Sequence, residues 1–365
     1  MRKPRVFFHV QHLLGIGHLR RAAILTRALR EAGFEVTLAS GGMPVEGIDV
    51  LQLPPASSAD LKQLLDEHGK PVDEAWKARR RDALLDAFRR CAPDVLLVEL
   101  FPFGRRQLRF ELLPLLDSAK GKALIVCSVR DLLQPRPARE AEVLECFEHY
   151  FDRLLVHGDP RVAGFERSFG SAARLAGRVH YTGYVAEEQA AEGDAGSDEV
   201  LVSAGGGAVG GRLLEAALQA RPLCALRAKT WRILAGVNFQ GLDALQARAG
   251  DGVVIERFRN DFTLRLRNCV LSVSQAGYNT VVETLQARAR AVLVPFAAGG
   301  EVEQTARARL LEERGLVQVV DEAVLSPATL AAAIDRAAAA PRPAPGAVDL
   351  GGAQASAALL RKWLA

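Results

Sequence analysis

Apolar and polar positions come in blocks whose period changes along the chain. Arg5 to Val10 (RVFFHV) is a short apolar run and reads as a strand. A glycine-containing loop follows, and from about Leu19 to Glu31 the apolar residues fall at helical spacing, stopping before Gly33. Phe34 to Ser40 reads as a second strand and Val50 to Leu53 as a short third. After a long polar region, Asp94 to Leu100 and Leu124 to Val129 are near-continuous apolar runs, and Arg153 to His157 is another. Such runs suit parallel strands buried on both faces. Strand–helix alternation of this kind predicts a doubly wound parallel sheet.

Residues 186–199 (AEEQAAEGDAGSDE) are small, acidic and polar, and read as an interdomain linker. The pattern then restarts. Val200 to Ser203, Trp231 to Val237, Gly252 to Glu256, Val270 to Val273 and Ala291 to Pro295 are the expected strands. Ala337 to Gly352, rich in Ala, Pro and Gly, reads as a loop, and Ala353 to Leu364 as a helix. The reading is an α/β protein with an N-terminal domain over 1–186, a second over 199–345, and a terminal helix within 346–365 that packs back on the first domain. The repetition is of architecture, not of sequence.

Composition narrows the classes. The chain has 365 residues, about two domains' worth. Its net charge of +4 is too small for a dedicated nucleic-acid binder. With 49% hydrophobic and 25% charged residues it is globular rather than disordered. There is no apolar run of about 18 residues to span a membrane. The basic start Met1-Arg2-Lys3-Pro4 is followed by a short apolar stretch broken by His9, Gln11 and His12, so no signal peptide is expected. The five cysteines are widely spaced and odd in number, without metal-ligand spacing. They read as small buried hydrophobes in a reducing cytoplasm.

In open parallel sheets ligands bind beyond the carboxyl ends of the strands, so the residues there carry the candidate chemistry. The first strand leads into Leu14-Gly15-Ile16-Gly17-His18-Leu19-Arg20-Arg21. Its glycines permit a tight turn, and His18 at the helix start is either a general base for a hydroxyl or a loop histidine. The third glycine of a dinucleotide fingerprint is missing. The second half opens with Ser203-Ala204-Gly205-Gly206-Gly207-Ala208-Val209-Gly210-Gly211, whose backbone N–H groups could crowd a phosphate or simply turn. No Lys-Ser or Lys-Thr follows, so it is not a P-loop. Ser272 to Glu283 runs from a strand through Gln275-Ala276-Gly277 into a helix carrying Asn279, Thr280 and Glu283. An ionised carboxylate accepts two hydrogen bonds and suits a ribose diol. Glu303 and Gln304 emerge after the next strand and suit sugar hydroxyls, Glu303 alternatively being a solvated helix-start acid. In the first half, Phe101-Pro102-Phe103-Gly104-Arg105-Arg106 mixes aromatics with cations. It reads as an acceptor pocket, a membrane-facing patch or a buried aromatic turn, and Trp76 to Arg81 either adds positive charge to that patch or is a solvated basic helix face. Glu99 and the pair Arg130-Asp131 end strands and either face a cleft or form a structural ion pair.

The Ser274–Gln304 block resembles the nucleotide-sugar motif of GT-B glycosyltransferases. Nearly the whole chain is similar to the family of the peptidoglycan N-acetylglucosaminyltransferase MurG and its uncharacterised relatives. The resemblance implies two Rossmann-like doubly wound domains facing a cleft, the first binding the acceptor and the second the donor. It implies that Glu283 holds the ribose, within a motif that includes Gly277, Asn279 and Thr280. The loop at Phe258 and Arg259 would read the uracil edge. Gly205, Gly206, Gly207 and Ala208 would hold the diphosphate, and Glu303 and Gln304 would read the sugar. His18 would be the base, with Gly15, Gly17, Glu99, Phe101, Phe103, Arg105, Arg130 and Asp131 on the acceptor side. Two departures are Ile16, where the family is richer in glycine, and Glu303, where it carries a glutamine; a glutamate accepts but cannot donate, which leaves the donor sugar open.

The expected reaction moves a sugar from a UDP-linked donor to an acceptor hydroxyl with inversion. No Asp-x-Asp motif is present, so no metal is expected, nor any cofactor beyond the co-substrate. The expected partners are the nucleotide sugar and an acceptor, lipid-linked in one reading, with peripheral contact at the inner membrane face and a role in cell-envelope or glycan synthesis. Two alternatives stand beside it. A nucleotide-sugar hydrolase or epimerase of the same fold would turn over without an acceptor. A non-catalytic sugar-nucleotide-binding protein would bind without turnover.

Overall fold

The structure is a computed structural model that describes residues 2–13, 15–58, 63–187, 192–204, 210–236, 239–297 and 301–365. The chain divides into two compact units. One comprises Met1–Pro160, Gly164–Val185 and Gly351–Ala365, the other Arg161–Ala163 and Ala186–Leu350.

The first unit runs β1 (Arg5–Val10), α1 (Gly17–Glu31), β2 (Glu35–Ser40), β3 (Leu51–Gln52), α2 (Glu74–Cys91), β4 (Val95–Glu99), α3 (Arg109–Ala119), β5 (Leu124–Arg130), α4 (Glu140–Tyr150), β6 (Arg153–His157) and β7 (Val179–Tyr181). All seven strands are parallel, in the order β3-β2-β1-β4-β5-β6-β7. The alternation of side chains in β1 divides the core in two. Val6, Phe8 and Val10 enter one layer with Leu19, Leu25 and Leu29 of α1. Phe7 enters the other with Leu84 and Phe88 of α2 and Leu112 and Leu115 of α3. Gly33, at φ 90°, supplies the left-handed residue that turns α1 into β2. Chain order reverses between β1 and β4, so the topological switch point of this sheet lies at their ends.

The second unit runs β8 (Glu199–Ser203), α5 (Gly211–Ala220), β9 (Thr230–Leu234), α6 (Leu242–Gln246), β10 (Val253–Glu256), α7 (Phe262–Asn268), β11 (Leu271–Ser274), α8 (Tyr278–Gln286), β12 (Ala291–Leu293), α9 (Glu303–Glu313), β13 (Gln318–Val319) and α10 (Pro327–Ala339). Its six parallel strands are ordered β10-β9-β8-β11-β12-β13, with the switch point between β8 and β11. Val200 and Val202 pack with α5 and α10, while Leu201 packs with Leu266 and Cys269 on the opposite face. The acidic stretch after residue 186 ends sooner than its composition predicts. Glu199 already belongs to β8 and is held by Arg232 at 2.9 Å and Arg265 at 2.6 Å.

The last helix, α11 (Gly352–Leu364), lies in the first unit, where Ala353, Ala357 and Leu360 join the core layer of α1. Val185 and Gly351 form an antiparallel bridge, and Gly352 N–H donates to Tyr184 O at 3.0 Å. A Cβ on Gly352 would stand 2.5 Å from Gly183 O, so only glycine fits this seam. All five cysteines are free, and all but the half-buried Cys91 are buried.

Candidate active site

The end of β1 and the start of α1 place His18 beside Glu99, the last residue of β4. His18 Nδ1 lies 3.0 Å from Glu99 Oε1. Arg21, one helical turn after His18, donates to the same oxygen. Ser128 Oγ donates to Glu99 Oε2 at 2.8 Å and stands 2.9 Å from His157 Nε2 at the end of β6. His157 Nδ1 is 2.9 Å from Thr182 Oγ1. Glu99 is buried, and burial alone would raise its pKa. The Arg21 charge and the hydrogen bond from His18 outweigh that and hold it well below the usual carboxylate range.

The hydrogen-bond network assigns the protons. An ionised carboxylate only accepts, so His18 Nδ1 carries the hydrogen and Nε2 keeps its lone pair. Ser128 gives its one hydroxyl proton to Glu99, so His157 presents Nε2–H to Ser128. A neutral histidine with its Nδ1 anchored on a carboxylate has its orientation fixed and its Nε2 lone pair able to accept a proton. Burial, then the Arg105 charge, push the His18 pKa down to about 3 against the opposing pull of Glu99.

This burial of neutral histidines makes stability pH-dependent. His9, His18 and His157 are each pushed down to about 3, with burial the leading cause. Unfolded histidine titrates near 6.5, so below that pH the unfolded chain binds protons that the folded chain refuses. Stability is full above about pH 6.5 and is lost as pH falls towards 3, by about 4 kcal/mol per pH unit for three such groups. Glu99 adds a loss of the same sign at lower pH, because its folded pKa is also depressed. Urea midpoints measured from pH 7 to pH 5 are expected to fall steadily; a flat profile would show that these histidines are not held neutral.

The loop after β1 is braced from beneath. Arg80 on α2 forms a bidentate pair with Glu111 of α3, at 2.6 and 2.9 Å. It also donates to Gly41 O and Pro54 O at 2.8 Å and to Gln11 Oε1 at 2.5 Å. Arg80 and Trp76 are both buried, which corrects the reading of Trp76 to Arg81 as a solvated basic face. Gln11 O in turn accepts from Arg105 Nε at 3.0 Å. Gly15 is exposed, with open space where its Cβ would be, and Gly17 is the first residue of α1.

After Glu99 the chain makes a tight turn containing a cis Phe101–Pro102 bond, with Leu100 at φ 69° and Arg105 at φ 61°. Left-handed backbone at a non-glycine residue costs on the order of 1 kcal/mol or more, and such strain gathers at functional sites. The two aromatics do not form a projecting patch. Phe101 is buried, and Phe103 packs on Phe169, Phe165 and Phe147 with ring centroids 5.1, 5.4 and 5.8 Å away. Both line a depression in this unit. Arg130 is half-buried at the end of β5, and Asp131 is buried with its Cβ 2.6 Å from where a Cβ on Gly158 would sit.

In the second unit, Gly205, Gly206, Gly207 and Ala208 lie outside the described residues. The turn after β11 is described and is clamped by α9. Gln304 Oε1 accepts from Ala276 N–H and Phe296 N–H, both at 3.1 Å, tying together the ends of β11 and β12. Arg307 donates to Ala276 O at 3.1 Å and pairs with Glu303 at 2.7 Å. Glu303 and Arg307 are both buried, so Glu303 is no solvated helix-start acid; its carboxylate is engaged in shaping the turn. Gly277 caps α8 at φ −62°, which any residue tolerates, and a Cβ there would meet open space. The start of the helix is thus unobstructed at Gly277, and a helix N-terminus suits an anion. Asn279 and Glu283 stand four residues apart on one face of α8, both half-buried as is Thr280; Glu283 falls past the middle of the nine-residue helix. After β10, Phe258 is 54% exposed. Its neighbour Arg259 is held by Asp261 at 2.6 and 3.0 Å and by Glu256 at 3.3 Å, and the Asp261 hydrogen bond leads in raising its pKa.

Sequence reasoning missed Arg21, Ser128, His157 and Thr182. The available signal was positional: His157 ends an apolar run as Glu99 does, and parallel strands bring their ends to one edge. Among the described residues no group of three His, Cys, Asp or Glu stands ready to hold a metal ion, and no helix is long and apolar enough to cross a membrane.

Residues 201–347 match the glycosyltransferase family 28 C-terminal domain. Among solved structures, CalG4, the calicheamicin glycosyltransferase, shares 17% identity at a TM-score of 0.67, with 100% of this chain and 99% of that one covered. MurG from Acinetobacter baumannii shares 16% at 0.62, covering 98% and 100%. The glycosyltransferase VinC in complex with dTDP shares 16% at 0.60, covering 98% and 94%. At these identities the likeness establishes the fold, two Rossmann-like parallel-sheet domains of the GT-B architecture.

Proposed function

We propose, from the match of residues 201–347 to the glycosyltransferase family 28 C-terminal domain and from the GT-B fold, that the chain is a glycosyltransferase that moves a sugar from a UDP-linked donor to an acceptor hydroxyl with inversion and without a metal. The observation that carries the reading is the His18–Glu99 pair, which leaves Nε2 as the proton acceptor. His18 Nε2 takes the hydroxyl proton as the oxygen attacks the anomeric carbon. The bond from that carbon to the diphosphate breaks, and the leaving oxygen keeps the electron pair. Glu99 stabilises the imidazolium that forms, as a carboxylate does for any charged histidine it orients. A single displacement inverts the anomeric centre.

The donor's ribose is assigned to Glu283, its diphosphate to the N-terminus of α8 together with the 205–208 loop, and its base to the exposed ring of Phe258. The Glu303 carboxylate is engaged by Arg307 and the Gln304 carbonyl by two backbone N–H groups. The Gln304 amide nitrogen is the group of this pair best suited to a sugar oxygen.

Calorimetry with UDP, dTDP and GDP tests the donor site. UDP is expected to bind, Glu283→Ala to weaken it about tenfold or more, and Gly277→Val to fill the space at the helix start and weaken it without loss of fold. Preference for dTDP, the nucleotide in the VinC complex, would change the base. Binding indifferent to both variants would remove the α8 site. Turnover without acceptor would reassign the reaction to hydrolysis or epimerisation.

A further inference from the structure

The depression in the N-terminal unit has an unmatched charge. It lies beside the Phe101–Arg106 turn, over a floor that includes Phe101, Phe103, Leu133, Val143 and Phe169. Four arginines line it (Arg106, Arg109, Arg136 and Arg139) against two carboxylates, Glu140 and Glu142. The carboxylates are already engaged. Glu142 accepts from Arg109 and lies 3.4 Å from Arg106. Glu140 accepts from Gly170 N–H at 3.0 Å and Ser171 N–H at 2.9 Å. Arg136 and Arg139 have no such partner among the described residues. The positive field extends towards His18: burial and the charges of Arg130, Arg21 and Arg136 push Arg105 down to about 10, with Glu99 opposing them.

An apolar floor with unmatched guanidiniums at its rim is complementary to an anion attached to an apolar body. From this we infer that the acceptor is an amphipathic acid, its carboxylate or phosphate held by Arg136 and Arg139 and its apolar or aromatic body seated on Phe101, Phe103 and Phe169. The inference rests on the reading of this unit as the acceptor side of a glycosyltransferase, and it names the class of acceptor. The Arg105 charge works against protonation of His18, and an acceptor's negative group near these arginines offsets it. A neutral acceptor of the same shape brings no such compensation.

The test is calorimetry of the full chain with 2-naphthyl phosphate, 2-naphthol and inorganic phosphate, with UDP titrated on the same samples. The phosphate ester is expected to bind at least about tenfold tighter than either fragment, because charge-assisted bonds and apolar burial act together. Arg136→Gln with Arg139→Gln is expected to lower its affinity about tenfold or more, to weaken its salt dependence and to leave UDP affinity unchanged. Neither residue has a carboxylate partner among the described residues, so the double variant is expected to keep the fold, and unchanged UDP affinity checks that it does. Equal binding of the ester and 2-naphthol overturns the inference, as does indifference to the double variant. Displacement of the ester by UDP also overturns it, by assigning the arginines to the donor. UDP binding to the wild type reports separately on the glycosyltransferase reading.

Discussion

Replacing His18 by alanine is expected to lower kcat by about 10²–10⁴, the usual contribution of a positioned general base. Nucleotide affinity should not change, because the residues assigned to the donor belong to the other unit. Glu99→Gln tests the same machinery from the other side. A glutamine amide can donate to Nδ1 and force the hydrogen onto Nε2, where it blocks the base, and it removes the charge that stabilises the imidazolium. It also leaves Arg21 without its buried carboxylate. A rate loss as large as that of His18→Ala is expected, with an acceptor KM that moves less. Near-full turnover by His18→Ala would take His18 out of the mechanism altogether.

The largest expected effect on stability lies beneath that site. Arg80→Leu removes one partner of a fully buried ion pair and leaves Glu111, itself wholly buried, with an uncompensated charge. Breaking such a pair from one side costs about 3–5 kcal/mol. Here two carbonyls and the Gln11 side chain also lose their donor. A urea titration that shows a loss below 1 kcal/mol would mean that the pair is hydrated or replaceable. Because Arg80 supports Gln11, whose carbonyl receives Arg105, activity is expected to fall before the protein unfolds.

The central strands were legible because burial on both faces leaves an unbroken apolar run: Arg5–Val10 and Arg153–His157 appear with the ends the sequence predicts. The edges were not. β7 has only three residues and β13 two, too few to establish a pattern. Trp231 to Val237 read as one strand, yet β9 stops at Leu234. The positions of His18 at a helix start and Glu99 at a strand end, and the placing of Glu283 on the helix after β11, could be read from the order of elements. Their partners could not, because a hydrogen bond between Ser128 and Glu99 depends on the register of two strands and not on spacing along the chain. Arg80 failed for a related reason. Three successive arginines look solvated in sequence, and only a buried glutamate 31 residues later reverses that for the middle one.

The seam at Val185 and Gly351 bears on the order in which the protein is built. The polypeptide leaves the first unit after Val185 and returns at Gly351, so the second unit is in effect a long insertion into the first. A ribosome delivers the sheet and α1 early, but Ala353, Ala357 and Leu360, which cover α1, emerge only after the whole insertion has been made. The insertion can close on itself while the earlier segment still waits with an apolar helix stripe open to solvent. Nascent chains stalled anywhere within residues 186–350 therefore carry a half-finished core, and during synthesis that is where a chaperone has most to protect.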